Sequence, residues 1–308
     1  MNLRDVARLV RLPNLLAVAA FQSLLQYGLI LPKFEAWGIS DALGTPLFVL
    51  LVVSTVCLAA GGNAINDYFD VAADRVNRPD RMVVGKVVDR RHALLAHVVL
   101  NLVGVFAGLY VSFVLRRASF MLLFVGVPTL LWFYSTHFKR MVLVGNIVVS
   151  SLVALTGYIV ISADYAALDR TAGGPDTGAD PLSSLWYIVC AYCIFAFISN
   201  LSREIIKDME DVDGDIASGG RTLAIELGNT YCKSVVVLLE TFTAIMLCAA
   251  AHEIATATVG AYIAAVLIAP RLALCVMVWR AKTKDGFHRA STLSKLIMMA
   301  GVASIVLL

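Results

Sequence analysis

Two groups of aspartates in this sequence share one spacing. Asp67, Asp70 and Asp74 read D-x-x-D-x-x-x-D, and Asp208, Asp211 and Asp215 repeat it 141 residues later. On an α-helix such positions fall within an arc of about 60° over two turns, so the spacing predicts three carboxylates on one face of a helix, twice. Like charges that close repel one another unless a cation lies among them. Two facing triads would form a cage of hard oxygen ligands, which suits Mg2+, an ion that keeps waters and bridges protein carboxylates to substrate phosphates. Arg75, Arg78, Arg81, Lys139, Arg140, Arg203, Lys207 and Arg221 are expected in loops on the same side. Arginine forks and lysine point charges are the groups that grip phosphate oxygens. The pattern therefore predicts a metal–diphosphate clamp, with the adjoining apolar sequence receiving whatever hydrocarbon the diphosphate carries.

The elements that must position these residues are membrane helices. Of 308 residues, 59% are hydrophobic and only 15% charged, with a mean hydropathy of +0.81. An ordinary soluble domain is about 45–50% apolar and about 25% charged. Nine apolar runs approach the length of about 20 residues that a spanning helix needs: roughly 13–31, 45–66, 93–115, 118–135, 142–163, 185–202, 234–251, 254–279 and 291–308. The second and sixth lead straight into the two acidic groups. With nine spans, 20 Lys and Arg fall on the side of the N-terminus and the acidic groups and 4 on the other, with Arg271 left inside a span. Short cytoplasmic loops retain positive charge, so the N-terminus and acidic groups are expected in the cytoplasm.

The repeat predicts one domain, 1–308, of two four-helix halves, about 1–140 and 141–280, with the ninth helix added. The first run leads into no small-residue cleavage site and is expected to stay as a helix. The six cysteines lie in or beside apolar runs; Cys190-x-x-Cys193 has metal or redox spacing but sits among packing residues, and no role is assigned. The histidines are scattered and are expected at interfaces or in loops, without a zinc or haem pattern. Asp164 to Ser184, rich in Gly, Asp and small residues, is expected to be a disordered outer loop. Gly61 and Gly62 are expected to let helices pack closely. No basic tail or aromatic-interleaved basic stripe points to nucleic acid, and no obligate protein partner is inferred; the surroundings are membrane lipid.

Several stretches carry a family resemblance. "NDYFDVAADRVNRPDR", from Asn66, resembles the first signature of the UbiA superfamily of intramembrane prenyltransferases, and "REIIKDMEDVDGDIASGGRTLAIELG" resembles the second. "YSTHFKRMVLVGN" is similar to the family's Tyr and Lys-Arg segment before the fifth helix, and "VRLPNLL" to its approach to the first. The resemblance covers essentially the whole chain. It implies an all-α, nine-helix bundle around a central cavity, transferring a prenyl chain from a prenyl diphosphate donor to a lipophilic acceptor with Mg2+. It further implies that Asn66, Asp70, Asp74, Asp208, Asp211 and Asp215 hold the metal–diphosphate, with Asp67 supporting them. Lys139, Arg140 and Lys207 would contact diphosphate, and Arg75 and Arg78 would contact it or orient the carboxylates. Tyr68, Phe69, Trp132, Tyr134, Phe195 and Phe197 are possible walls of a dry pocket, or packing residues.

"REIIKDMEDVDGD" most resembles the branch that adds a geranylgeranyl group to geranylgeranylglyceryl phosphate. "RPDRMVVGKVVDRR" departs from that branch, which commonly carries a Pro-Ile-Pro-Ser-Gly-like segment there. A phosphate-bearing acceptor would account for Lys86, Arg90 and Arg91, as would topology alone. The alternative acceptor is an aromatic quinone precursor of the 4-hydroxybenzoate or dihydroxynaphthoate type. A CDP-alcohol phosphotransferase would need a D-G-x-x-A-R segment that is missing. An ion-coupled transporter would place its carboxylates near the bilayer midplane, not at helix ends.

Overall fold

A computed structural model of the protein describes residues 3–80, 82–172, 180–254 and 256–307. Arg81 and residues 173–179 of the expected outer loop lie outside these. Among the described residues nine helices are long and apolar enough to cross a membrane: Leu12–Ala36, Thr45–Phe69, Arg90–Val114, Ala118–Thr136, Val144–Arg170, Leu182–Glu210, Leu223–His252, Ala257–Arg280 and Lys284–Leu307. These first to ninth spans coincide with the nine runs read from the sequence, and the protein is an all-helical integral membrane protein. Helices satisfy every backbone N–H and C=O internally, as hydrocarbon requires. Phe106, Phe113, Leu122, Tyr187, Leu238 and Ile245 stand exposed on the spans, a liability in water but the expected face toward lipid.

The chain divides into two compact units. Unit one holds residues 1–138 and 155–192; unit two holds 139–154 and 193–308. In unit one the second span packs against the third and fourth, and its glycines set the approach. A Cβ at Gly61 would lie 2.8 Å from Asn101 Oδ1, and one at Gly62 2.9 Å from Leu131 Cδ1. The expected close packing at these glycines is therefore present. His97, expected at an interface or in a loop, is instead buried in the third span, its Nδ1 2.9 Å from Gly61 O.

The expected disordered loop is largely helix. The fifth span's helix continues to Ala172 and the next begins at Asp180. Asp164 is buried and accepts from Gln26 Nε2 at 3.1 Å, while Gln22 donates to Thr55 and to Thr156 O. Low-complexity composition misled here because small residues also suit tightly packed membrane helices.

Unit two has a core of Leu201, Ile205 and Met209 from the sixth span, Cys232 and Val236 from the seventh, Leu274 and Val278 from the eighth, and Ala290 and Ile297 from the ninth. Arg271, expected inside a span, is buried in the eighth and donates to Glu240 at 2.7 Å and to Ser199 at 2.8 Å, so its charge is paired. All six cysteines are free thiols.

Three backbone features interrupt the helices. The first and eighth spans widen into π-helix at Leu24–Ile30 and Ile263–Ile268, each just before a proline-bearing segment, Leu31–Ala36 and Ala269–Arg280. Proline lacks an N–H and crowds the carbonyl of the preceding turn, and a wider turn accommodates both. The seventh span bends at Gly228, whose φ of 78° favours glycine. Arg11, Arg116 and Leu143 are left-handed without being glycine, at φ 54°, 53° and 63°. Arg11 immediately precedes the first span and Leu143 the fifth.

Candidate functional site

In unit one the acidic group is not on one uninterrupted helix, as the spacing suggested. The second span ends at Phe69; Asp70 sits at the junction with φ −86° and ψ 2°, and a short helix, Val71–Asn77, follows. Aspartate competes for backbone hydrogen bonds and is a weak helix former, so the helix breaks where the apolar run stops. Asp70 N still donates to Asn66 O, and Asp74 N to Asp70 O. Asp74 lies in the first turn of the short helix, where its charge favours the dipole.

Asn66 and Asp67 are buried, Asp70 and Asp74 half-buried. Asn66 Nδ2 donates to Asp70 Oδ2 at 2.8 Å, while Asn66 Oδ1 is buried and receives no hydrogen bond among the described residues. Arg11 donates to Asp67 Oδ1 at 2.7 Å. Burial works against the Arg11 charge, but the touching Asp67 carboxylate, with Asp70 behind it, more than offsets that and raises the guanidinium above the ordinary arginine value. Arg75 is exposed and Arg78 half-buried at the end of the short helix. Behind the group, Phe69 stacks edge-on against Tyr68 and Trp132, with centroids 5.1 and 5.7 Å apart.

Unit two repeats this backbone. The sixth span ends at Glu210, Asp211 stands at the junction with φ −106° and ψ 11°, and a short helix, Val212–Ala217, carries Asp215 in its first turn. Asp211 N donates to Lys207 O and Asp215 N to Asp211 O, the same two bonds as in unit one. Asp208, Asp211 and Asp215 are half-buried, whereas Asp213, off the spacing, is exposed. Asn146 Nδ2, near the start of the fifth span, donates to Asp208 Oδ2 at 2.8 Å. Farther along the same two helices, Asn200 donates to Ser150.

Lys139 and Arg140 form a 3-10 turn, and Arg140 O accepts from Arg221 N at 3.0 Å, linking the Lys-Arg segment to the Gly-x-Arg-Thr segment. Lys139 is half-buried and Arg140 exposed. Arg203 and Lys207, expected in a loop, lie within the sixth span. Glu204 accepts from both, at 2.9 Å from Arg203 and 3.5 Å from Lys207. Glu210 Oε1 lies 2.9 Å from His288 Nδ1, and Glu210 Oε2 accepts from Ser291 at 3.2 Å, so the ninth span grips the residue beside Asp211. Among the described residues no three His, Cys, Asp or Glu stand close enough together to hold a metal ion by themselves.

Arg11, Asn146, Glu210 and His288 were not singled out from the sequence. Arg11 lies in "VRLPNLL" and Asn146 ends "YSTHFKRMVLVGN", so the resembling segments contained both without revealing what they touch.

Residues 35–299 match the UbiA prenyltransferase family. The chain belongs to the UbiA prenyltransferase family. This prenyltransferase is 31% identical over 278 residues, covering 89% of each chain, to a digeranylgeranylglyceryl phosphate synthase of Thermococcus kodakarensis. Its fold is that of two solved structures. A structure described as digeranylgeranylglyceryl phosphate synthase in membranes superposes with a TM-score of 0.62 at 19% identity, over 99% of both chains. A UbiA homologue from Archaeoglobus fulgidus, bound to DMAPP and Mg2+, superposes with a TM-score of 0.58 at 17% identity, over 99% of this prenyltransferase and 100% of that chain.

Proposed function

We propose that this prenyltransferase moves a geranylgeranyl group from geranylgeranyl diphosphate to geranylgeranylglyceryl phosphate, releasing diphosphate, with Mg2+ as its resident cation. The observation that carries this reading is the doubled aspartate motif, built the same way at the ends of the second and sixth spans. The name of the Thermococcus kodakarensis relative supports the acceptor.

Asn66, Asp67, Asp70 and Asp74, and their repeat counterparts Asp208, Asp211 and Asp215, are the residues that would hold Mg2+. The buried Asn66 Oδ1, an acceptor with no donor among the described residues, fits a position facing a cation, and an all-oxygen set suits an ion that retains waters. When bound, the cation neutralises charge gathering on the departing diphosphate. Lys139, Arg140 and Lys207 donate to diphosphate oxygens, and Arg75 and Arg78 orient the carboxylates or the diphosphate. The allylic C1–O bond breaks with its electrons on the diphosphate oxygen; the acceptor hydroxyl oxygen bonds C1, and its proton leaves with the diphosphate. Tyr68, Phe69 and Trp132 shield the electron-poor carbon from water. The excess of Lys and Arg at the motif-bearing helix ends supports placing those ends and the N-terminus in the cytoplasm.

A second reading, an aromatic acceptor, is favoured by "RPDRMVVGKVVDRR", where Val84 and Val88 fold onto Leu9, Ala64 and Ala93. Purified protein given labelled geranylgeranyl diphosphate, Mg2+ and each acceptor separates the two. Ether product from geranylgeranylglyceryl phosphate alone is the expected result; product from 4-hydroxybenzoate or 1,4-dihydroxy-2-naphthoate instead overturns the acceptor.

A further inference from the structure

In unit one, away from the aspartate motif, the first and fifth spans meet through side chains that hydrocarbon disfavours. Gln22, Gln26 and Asp164 are 0%, 1% and 1% exposed. Gln22 Nε2 donates to Thr55 Oγ1 at 3.2 Å and to Thr156 O at 2.9 Å, and Gln26 Nε2 donates to Asp164 Oδ1 at 3.1 Å. The amide nitrogens are therefore engaged. The oxygens are not: Gln22 Oε1, Gln26 Oε1 and Asp164 Oδ2 are all buried without a donor among the described residues. Two cations at the same ends of the spans are committed elsewhere, Arg117 to Asp169 and Arg170 to Val114 O.

An acceptor cut off from water costs free energy, and a carboxylate inside a membrane bundle costs more unless a counter-charge lies beside it. Gln26 Nε2 gives Asp164 a dipole, not a charge. Water would donate to the oxygens but leave the carboxylate uncancelled. A monovalent cation does both: oxygen ligands suit a hard ion, and one positive charge balances one carboxylate, where a divalent ion would leave an excess. Gln26 Oε1 and Asp164 Oδ2 flank the bond between their side chains, because each shares a carbon with one atom of that bond. Gln22 Oε1 belongs to a residue about one turn away on the first span. Gln26 also lies in the π-helical stretch Leu24–Ile30, and such wide turns recur at functional sites. Gln26 follows Arg11 by fifteen residues, about 22 Å along a helix, so it stands well apart from the Asp67 contact.

We propose that Gln26 Oε1 and Asp164 Oδ2, with Gln22 Oε1 about one turn along the first span, form a site for a single monovalent alkali cation. The ion clamps the first span to the fifth at the end remote from the Asp67 contact. Its ligands are two carboxamides and one carboxylate, so the site owes nothing to the aspartate motifs, to Mg2+ or to the identity of the acceptor.

The test uses the purified full chain in detergent, with radiolabelled Na+ as the probe. Wild type should retain Na+ that unlabelled Na+ or K+ displaces and choline does not. Its melting temperature should be about 3 °C or more higher in sodium chloride than in choline chloride of equal concentration. Asp164→Asn keeps the shape of the side chain and removes its charge; it should lose the bound Na+ and melt at the same temperature in both salts. Gln26→Met should weaken Na+ binding about tenfold or more, whereas Asp70→Asn should bind Na+ as wild type does. Wild type that binds no Na+ and melts alike in both salts would mean that Asp164 carries its own proton against Gln26, and would overturn the site. That measurement decides even where a variant fails to fold. Binding kept in Asp164→Asn, or lost in Asp70→Asn, would put the ion elsewhere in the protein and overturn the site as well.

Discussion

The two aspartate motifs share a backbone but not its supports. In each, a long apolar helix ends on the central aspartate, a short helix carries the third, and two matching backbone bonds bridge the break. In each, a left-handed residue precedes a span, Arg11 or Leu143, and a side chain at the start of that span holds the first aspartate. The supports then diverge. Asp67 is held by a charged guanidinium and Asp208 by a neutral carboxamide. Position 69 is a phenylalanine in an aromatic stack, whereas its repeat counterpart, 210, is a buried glutamate gripped by the ninth span. The helix break is thus common to both copies, while each copy's environment decides what braces it. The ninth span braces the second copy through Glu210.

The comparison can be broken most sharply at the central aspartates. Asp70→Asn and Asp211→Asn should each lower product formation about a hundredfold or more while the protein stays inserted and monodisperse; near-wild-type turnover in either would end the equivalence. Next come the partners of the first aspartates. Arg11→Met and Asn146→Leu should each lose about 1–2 kcal/mol of stability, the Arg11 loss tempered by its partly exposed side chain, read as a lower melting temperature in detergent. The bracing residues sharpen the difference between copies. Ser291→Ala should cost about 1 kcal/mol and raise the Mg2+ concentration needed to stabilise the protein against heat, whereas Phe69→Leu should lower stability without moving that concentration. Last, Asp213→Asn should leave turnover within about twofold, because an exposed carboxylate off the repeated spacing contributes little; a large loss there would mean the spacing had been misread.

The nine spans were legible because hydrocarbon demands long uninterrupted apolar runs, and the aspartates because their spacing recurs. The break at Asp70 and Asp211 was not, since the same positions suit one straight helix or two short ones. Arg11 and Asn146 escaped notice because their partners lie 56 and 62 residues away and leave no local pattern. Arg203 and Lys207 were assigned to a loop because the apolar run was taken to stop at 202, whereas the sixth span continues to Glu210. Asp164 was read as part of a disordered loop because the stretch it opens is rich in Gly, Asp and small residues, although the helix holding it continues to Ala172.

The three left-handed residues have a consequence for anyone engineering this protein. An L-residue in that conformation stores about 1 kcal/mol of strain, which glycine or asparagine would relieve. At Arg11 the strain is tied to the Asp67 contact, and at Leu143 to a side chain packed on the core of unit two. Arg116 is exposed between the third and fourth spans, away from both motifs in sequence. Replacing it with glycine or asparagine is therefore a route to a sturdier enzyme that leaves the motifs and their bracing residues untouched.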